Sequence, residues 1–245
     1  MIDLVCRIPM GAYFLESAVS SQNIVLTVPG QREEKIVVVA HYDSWDTPGA
    51  SDNGSGTAVL LESAQRMMET DNYYTIQYVF FGAHEVWSIP ATFYINNLTD
   101  EQEDNIVLMV NVDNLFDGPY MFYGAAYNDN WQPGVNDLTR KIDTIAQELD
   151  LDLIGHPPVA YVVSDHSTFL YRGHTVVFLM ALYKSEVSGA VGFFEWSGYQ
   201  FVRGWSHTIN DDVHIIEERY PGLIQRNMHA YSVFLDEILN RFHMR

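Results

Sequence analysis

Basic side chains are scarce in this chain of 245 residues: 13 Lys and Arg stand against 32 Asp and Glu, and the formal net charge is −19. Nucleic-acid binding depends on neutralising backbone phosphates with Lys and Arg, so the composition argues against a nucleic-acid partner. An anionic membrane surface is disfavoured for the same reason. We therefore expect no nucleic acid and no membrane among the partners, and the oligomeric state stays open.

Cysteine and long apolar runs are scarce as well. Cys6 is the only cysteine, which excludes a disulfide within the chain and leaves the redox compartment open. The longest apolar runs, such as residues 36–40 and 78–81, have the length of a strand and fall far short of a membrane helix. Residues 1–7 lack the basic and long apolar stretches of an export signal, and secreted and cytoplasmic locations both stay open.

Apolar residues are plentiful: 47% of the chain is hydrophobic and 13% is aromatic, which is typical of a packed globular protein. Short β-rich runs alternate with stretches of helical periodicity, the last of them over about residues 220–242. The β-rich runs are residues 23–28, 36–40, 75–81, 106–112 and 175–180. One helical stretch places four side chains on one face: Ala58, Leu61, Ala64 and Met68. This alternation predicts an α/β fold, a single-domain α/β/α sandwich with a central mixed, mostly parallel sheet.

Residues 183–206 interrupt this alternation. They are rich in Gly, Ser and aromatic residues and have no regular period. An irregular stretch of this length in a compact domain is usually functional or mobile, and the other interpretation is a hairpin that covers the core. Trp131, Trp196 and Trp205 also fall between predicted elements, which makes them candidates for the wall of a specificity pocket.

Histidine and acidic residues follow several of the predicted strands. In an open α/β sheet ligands bind beyond the carboxyl ends of the strands, so we expect these side chains to meet at one edge. They are His41, Asp43, Asp52, His84, Glu85, Asp113 and His207. Taken singly, each has a simpler explanation, since Asp52 for example would cap the helix that follows it. Taken together, imidazole and carboxylate ligands suit zinc, and less selectively manganese or cobalt.

The ordered series His, Asp, Glu, Asp, His resembles the co-catalytic di-zinc exopeptidase family, which includes bacterial leucine aminopeptidases, aminopeptidase Y and glutamate carboxypeptidase II. Glutaminyl cyclases and transferrin receptors belong to the same superfamily. The most specific part of the resemblance is residues 39–44 followed by residues 49–56, and residues 111–113, 164–169 and 206–211 support it. The resemblance covers nearly the whole chain and implies the zinc-exopeptidase, phosphorylase/hydrolase-like form of the α/β/α fold.

By that resemblance five residues are metal ligands. His41 and Asp113 would bind one zinc ion, and Glu85 and His207 would bind the other. Asp52 would bridge the two ions, with a water or hydroxide between them. Two neighbouring cations need a shared carboxylate to offset their repulsion, and together they acidify water and polarise a carbonyl. The resemblance therefore implies two zinc ions per chain, with manganese or cobalt as possible replacements.

Three further residues take their roles from the same resemblance. Asp43 would orient His41 from behind, as metal-binding imidazoles require. Asp165 and His166 match the segment of the family that lines the site. That match gives them a role in substrate binding or a supporting role behind the ligands.

His84 stands where the active peptidases of this family carry the Glu that serves as general base. Imidazole accepts a proton near neutral pH, so one interpretation keeps hydrolysis with His84 as the catalytic base. The other interpretation is a metal-binding pseudo-peptidase or interaction module with little turnover. Residues 86–91 also depart from the family pattern, so the substrate preference cannot be inherited. Few residues precede residue 21, where the family carries helices, so residues 1–245 are expected to be a catalytic domain, either without those helices or as a fragment of a larger protein.

The expected function is that of a zinc-dependent aminopeptidase, a metallo-exopeptidase that hydrolyses N-terminal residues from peptides. The zinc pair would activate the bridging water, and His84 would carry the proton of that water to the leaving amine. A glutaminyl cyclase is a third interpretation, but that chemistry uses one zinc, whereas both metal pairs are retained here. Metal stoichiometry separates the two, because about two ions per chain favour the peptidase and one favours the cyclase.

Overall fold

The fold is that of a computed structural model, which describes residues 2–6, 19–86, 89–126, 137–155, 164–184, 194–196, 199–202 and 204–243. Ten strands in these residues are hydrogen-bonded into one sheet. They are β1 (Ile2–Cys6), β2 (Val19–Val28), β3 (Arg32–His41), β4 (Tyr74–Phe81), β5 (Ile106–Val112), β6 (Tyr120–Ala126), β7 (Leu153–Gly155), β8 (Val176–Lys184), β9 (Phe194–Trp196) and β10 (Tyr199–Val202).

The centre of the sheet is parallel and its flanks are mixed. Strands β4, β3, β5 and β8 are neighbours in that order and run parallel to one another. Antiparallel β2 pairs with β4, antiparallel β6 pairs with β8, and β7 lies parallel to β6. This confirms the predicted mixed sheet with a parallel centre, and the five β-rich runs of the sequence fall in β2, β3, β4, β5 and β8.

Helices cover both faces of the sheet. They are α1 (Gly56–Met67), α2 (Ile89–Asn96), α3 (Asp100–Asp104), α4 (Asp137–Glu148), α5 (His166–Tyr171), α6 (Val213–Arg219) and α7 (Leu223–Arg241). Buried side chains of α1, α4, α6 and α7 share one apolar core, and those of α2 and α5 share a second. The predicted α/β/α sandwich is therefore confirmed. Within the part of the chain that the structure describes, no helix has the length and apolar character needed to cross a membrane.

Strand β3 shows why its sequence has no polar alternation. Ile36 and Val38 point into the first core, whereas Val37 and Val39 point into the second. Because successive side chains of a strand point to opposite faces, a strand buried on both sides must be apolar at every position. Polar residues are therefore expected toward the ends of such a strand, and here the last residue is His41.

Of the four side chains that share one predicted face of α1, only Ala64 is buried. Leu61 and Met68 are more than half exposed, whereas their neighbours Leu60 and Met67 are buried. The first turn of the helix explains the difference, because a Cβ atom on Gly56 would lie only 2.3 Å from the carbonyl oxygen of Val112. This close approach of helix and strand fixes how the helix is rotated about its axis, and the apolar periodicity alone did not distinguish the two faces.

The irregular segment of residues 183–206 contains the β9–β10 hairpin, which pairs with the last residues of β8. Trp205 is buried, with its ring against Tyr183 and Tyr220, so its predicted place in a specificity pocket is wrong. Trp131 lies outside the described residues, and so does the side chain of Trp196.

Candidate metal centre

The parallel strands β3, β4 and β5 end at the same edge of the sheet and deliver three of the predicted ligands there. His41 is the last residue of β3, Glu85 follows the end of β4 by four residues, and Asp113 follows β5 directly. Asp52 comes from a π-helical turn, Ala50–Ser55, that precedes α1. His207 lies on the irregular turn before α6. The predicted meeting of these side chains at one edge is what the structure shows.

Asp52 lies between two imidazole rings. Its Oδ1 atom is 3.1 Å from His41 Nε2, and its Oδ2 atom is 3.2 Å from His207 Nε2. Asp113 Oδ1 adds a second carboxylate oxygen 3.4 Å from His41 Nε2. Glu85 Oε2 does the same for His207, at 3.1 Å from Nε2. Each imidazole therefore shares Asp52 with the other and has one further carboxylate of its own.

Two atoms of the cluster test whether it suits a metal ion. His41 Nε2 and Glu85 Oε1 are buried and make no hydrogen bond to the described residues. Buried polar atoms without a partner are costly, and an ion bound at these atoms would remove the cost. Nitrogen and carboxylate oxygen donors are also the ligands that zinc takes in proteins. The residues present therefore fit a metal ion.

The electrostatics favour positive charge at the centre. Burial works against a charged His41, but the nearby carboxylates of Asp113, Asp43 and Asp52 outweigh it and raise the pKa of His41 well above its ordinary value. Hydrogen bonds to Asp52 and Glu85 raise the pKa of His207 to about 9. Although burial opposes its ionisation, the two histidines lower the pKa of Asp52. A cation bound at this place would benefit from the same negative field.

Asp211, a residue of the 206–211 motif with no role expected from the sequence, holds the turn that carries Asp52. Its carboxylate accepts hydrogen bonds from the backbone N–H groups of Ser51, at 2.6 Å, and of Asp52, at 3.0 Å. The side chain of Asn53 donates to the carbonyl oxygen of Val112 at 2.8 Å, which ties the turn to the end of β5. The Asp52–Asn53 peptide bond is cis.

Asp43 holds two strand ends together. Its carboxylate accepts hydrogen bonds from the backbone N–H groups of His84, at 3.0 Å, and of Glu85, at 3.1 Å. His41 Nδ1 lies 3.0 Å from the backbone carbonyl of Asp43 and 3.5 Å from its carboxylate. The resemblance implies that Asp43 orients His41, and the nearer partner of the ring within Asp43 is its backbone carbonyl.

His84 is paired with Asp165. Its Nδ1 atom lies 2.9 Å from Asp165 Oδ2, and its ring stacks on His41 with centroids 4.0 Å apart. One of its ring nitrogens lies within 4.8 Å of donor atoms of His41 and Asp113. Burial disfavours a charged His84, but the charge of Asp165 outweighs it and raises the pKa of the imidazole. Asp165 thus acts on the residue that stands at the family's general-base position.

Asp165 and His166 are both fully buried. The His166 ring stacks on Phe178, and its Nδ1 atom lies 3.3 Å from the side-chain nitrogen of Asn111. Of the two roles expected from the sequence, this burial favours support behind the ligands, and direct contact with substrate stays a prediction. Ser164, from the same segment, donates to Asp113 Oδ2 at 2.8 Å.

Asp117 had no signal in the sequence. Its fully buried carboxylate accepts hydrogen bonds from the backbone N–H groups of Trp205 and Ser206, the residues directly before His207. Trp45 was also missed, and its ring lies against that of His207. Neither residue stands in the quoted motifs, because each acts on a ligand that lies far away in the sequence.

The sequence profile of Peptidase family M28 matches residues 23–232. The match includes strands β3 to β10, the turn before α1 and all five candidate ligands. It covers far more than half of the chain, so the chain belongs to Peptidase family M28. The resemblance to the exopeptidase family that the motifs indicated is thereby confirmed.

Similar proteins include peptidases and a cyclase. Aminopeptidase YwaD of Bacillus subtilis (strain 168) is 34% identical over 98 residues, which cover 38% of this chain and 22% of YwaD. The zinc aminopeptidase BSAP from Bacillus subtilis superposes with a TM-score of 0.68 at 22% identity, over 94% of this chain and 53% of BSAP. A glutaminyl cyclase from an Acidobacteriales bacterium gives 0.64 at 18% identity, over 96% of this chain and 79% of the cyclase. The chain thus spans about half the length of BSAP, and these two likenesses show the shared fold.

Proposed function

We propose that this chain is the catalytic domain of a metallo-aminopeptidase that hydrolyses the N-terminal residue from peptides. The observation that carries the proposal is the position of Asp52, with one carboxylate oxygen beside each of two imidazoles. Membership of Peptidase family M28 and similarity to aminopeptidases such as YwaD support it. Residues 1–245 are proposed to act as one domain.

The proposed cofactor is a pair of zinc ions, with manganese or cobalt as replacements. His41 and Asp113 would hold one ion, Glu85 and His207 the other, and Asp52 would bridge them. The bound ions would supply Lewis-acid polarisation of the substrate carbonyl and a lowered pKa for water at the site. The positively charged α-amino group of a peptide also suits the negative field of these carboxylates.

His84 is the proposed catalytic base. If Nδ1 carries its proton toward Asp165, the other ring nitrogen, Nε2, is left as the proton acceptor. Nε2 would take a proton from the attacking water and deliver it to the leaving amine. Asp165 would stabilise the imidazolium in between, because its buried carboxylate lies 2.9 Å from Nδ1. This pairing favours an active hydrolase over a pseudo-peptidase, since it gives the substituted histidine a partner suited to proton transfer.

Metal analysis combined with a screen of aminoacyl-anilides tests the proposal on wild type, His84→Ala and His84→Glu. We expect about two zinc ions per chain and measurable anilide hydrolysis in the wild type. Loss of a general base typically costs about 10²- to 10⁴-fold in rate, so His84→Ala should lose hydrolysis while keeping its metal. Unchanged turnover in His84→Ala would show that His84 is not the base.

The alternatives give different results in the same experiment. A pseudo-peptidase would bind metal and release no anilide at any pH, and His84→Glu, which restores the family's acid, would then raise activity. A glutaminyl cyclase would bind a single ion and cyclise peptides with an N-terminal glutamine, with release of ammonia. Either outcome would replace the aminopeptidase proposal.

A further inference from the structure

Trp45 contacts a candidate metal ligand from outside the cluster. Its indole ring lies against the imidazole of His207, with ring centroids 5.7 Å apart and planes 22° from parallel. The rest of the side chain faces solvent, and Trp45 is 58% exposed. Tryptophan is usually buried to a much greater extent, so an exposed indole beside a functional cluster needs a reason.

His207 is the candidate ligand that the rest of the fold supports least. Its side chain is 36% exposed, whereas the side chains of the other four ligands are at most 10% exposed. It lies on an irregular turn with a backbone φ of +60°, in the left-handed region that few residues adopt. Core packing therefore buries the other ligands far more than it buries His207, and the Trp45 indole is an aromatic surface against its ring.

The loop after β3 is built to hold Trp45 in place. The backbone N–H of Asp46 donates to the carbonyl of Ser44 at 3.0 Å, which makes Trp45 the central residue of a three-residue turn. The Ser44 hydroxyl donates to the carbonyl of Thr47 at 2.8 Å and closes the loop further. Gly49 ends the loop with a φ of +68°, and a Cβ atom there would lie 2.7 Å from the Ser44 Cβ, so this position requires glycine.

Both ends of this loop are attached to the metal centre. At its start, the Asp43 carboxylate accepts a hydrogen bond from the backbone N–H of Glu85 at 3.1 Å, and the Asp43 carbonyl lies 3.0 Å from His41 Nδ1. At its end, the backbone N–H of Ala50 donates to the carbonyl of Asp211 at 3.0 Å. The backbone that carries Trp45 is therefore tied to the ligands at both ends of the loop.

We propose that Trp45 is a positioning residue of the metal centre, which holds the His207 imidazole so that Nε2 faces Asp52 and Glu85, the residues that would hold the same ion. This inference rests on the proposed two-ion function. An imidazole bound to a cation becomes electron-poor, and the face of an indole is electron-rich, so the stacking strengthens when the ion binds. Aromatic pairs of this kind correspond to roughly two- to tenfold in a binding constant. Trp45 would thus set the affinity of one ion and leave the other nearly unchanged.

The experiment measures the binding of Zn²⁺ and Co²⁺ to metal-free protein by calorimetry, with the Co²⁺ absorption spectrum as a second readout. The variants are Trp45→Ala, Trp45→Phe and Trp45→Leu. Met68→Ala is the matched control, because Met68 is 59% exposed and lies at the far end of α1, roughly 18 Å along the helix from the turn that carries Asp52.

We expect Trp45→Ala and Trp45→Leu to weaken one equivalent of metal by roughly two- to tenfold and to change its Co²⁺ spectrum. Trp45→Phe keeps an aromatic ring, so its metal affinity should stay within about twofold of that of the wild type. The metal affinity of Met68→Ala should stay within the same limit. If Trp45→Ala fails to fold, Trp45→Leu carries the test, since it keeps apolar bulk without the aromatic face.

Two results would overturn the role of Trp45. One is that Trp45→Ala and Trp45→Leu bind both equivalents as the wild type does. The other is that both equivalents weaken equally in all three variants, which indicates a general disturbance of the fold. If the wild type binds only one equivalent, the two-ion function fails separately. The Trp45 role then survives only if His207→Ala and Trp45→Ala both weaken that single equivalent.

Discussion

The residues behind the candidate ligands hold them with buried carboxylates, and this has an electrostatic cost. Asp117 is the clearest case, because it is fully buried and its Oδ2 atom has no hydrogen-bond partner among the described residues. Burial raises the pKa of Asp117 to about 6, although the backbone N–H groups of Trp205 and Ser206 partly stabilise the charged form. The Asp117 carboxylate thus holds the turn before His207. Its ionisation in a buried place lowers the free energy of unfolding above about pH 6.

Replacing Asp117 by asparagine should change how stability depends on pH. The folded protein keeps the Asp117 proton up to about pH 6, whereas the unfolded chain releases it near pH 4. The folded state binds more protons in this window, so the free energy of unfolding falls as the pH rises through it. Asp117→Asn removes this loss and should exceed wild type by roughly 2 to 3 kcal/mol at pH 8, with the difference vanishing toward pH 4.

Urea unfolding at pH 4 and pH 8 in the presence of a chelator measures this difference without a contribution from bound metal. Asp104→Asn is the control, since Asp104 is an exposed aspartate in α3. A stability difference between Asp117→Asn and wild type that stays the same at both pH values would contradict the assignment.

Helix α1 shows what decides the orientation of an element. The sequence contains two apolar stripes on this helix, and the structure buries the one with Val59, Leu60, Ala64 and Met67. The rotation follows from the first turn, where the backbone of Gly56 packs against the end of β5. The same contact places the preceding turn, and with it Asp52, beside Asp113.

Two neighbouring leucines test this rotation. Leu60 is fully buried and Leu61 is 57% exposed. We expect Leu60→Ala to lower the free energy of unfolding by about 2 to 5 kcal/mol, because it leaves a cavity in the core. Leu61→Ala should change it by less than about 0.5 kcal/mol, as exposed substitutions usually do. Chemical denaturation of both variants measures the difference, and equal losses would mean that the helix is rotated otherwise.

For the molecule as a whole, the candidate ligands join distant parts of the chain. His41, Asp113 and His207 come from widely separated segments, so the complete donor set exists only in the folded state. An ion that binds the folded state alone stabilises it by about 2.7 kcal/mol at a hundredfold excess over its Kd. For a domain of this size that corresponds to a rise in Tm of roughly 5 to 10 °C.

Thermal unfolding with and without metal measures this linkage. We expect treatment with a chelator to lower the Tm of the wild type and zinc to restore it. His41→Ala, which removes a buried donor of the cluster, should lose most of the zinc-dependent rise. If zinc stabilises His41→Ala as much as the wild type, the ions bind elsewhere.

The sequence by itself determined the fold class and the kinds of side chain at the site. The buried stretches of β3 and β5, residues 36–40 and 106–110, are apolar throughout, so the ends of these strands stand out as the places where polar residues begin. His41 and Asp113 could be identified as candidates for this reason, and the order of His, Asp and Glu along the chain indicated the family. The predicted sheet and the family are confirmed, whereas the roles of the site residues stay proposals.

Only the tertiary structure decided which groups meet. The pairing of Asp165 with His84, the hydrogen bonds of Asp211 to the Asp52 turn and the stacking of Trp45 on His207 all join segments that are far apart in sequence. The spacing of residues along the chain does not predict such contacts. They depend on the order of the strands in the sheet and on the paths of the loops that connect those strands. Periodicity shows which side chains share a face of a helix or strand, and the packing of the whole chain decides which neighbour that face meets.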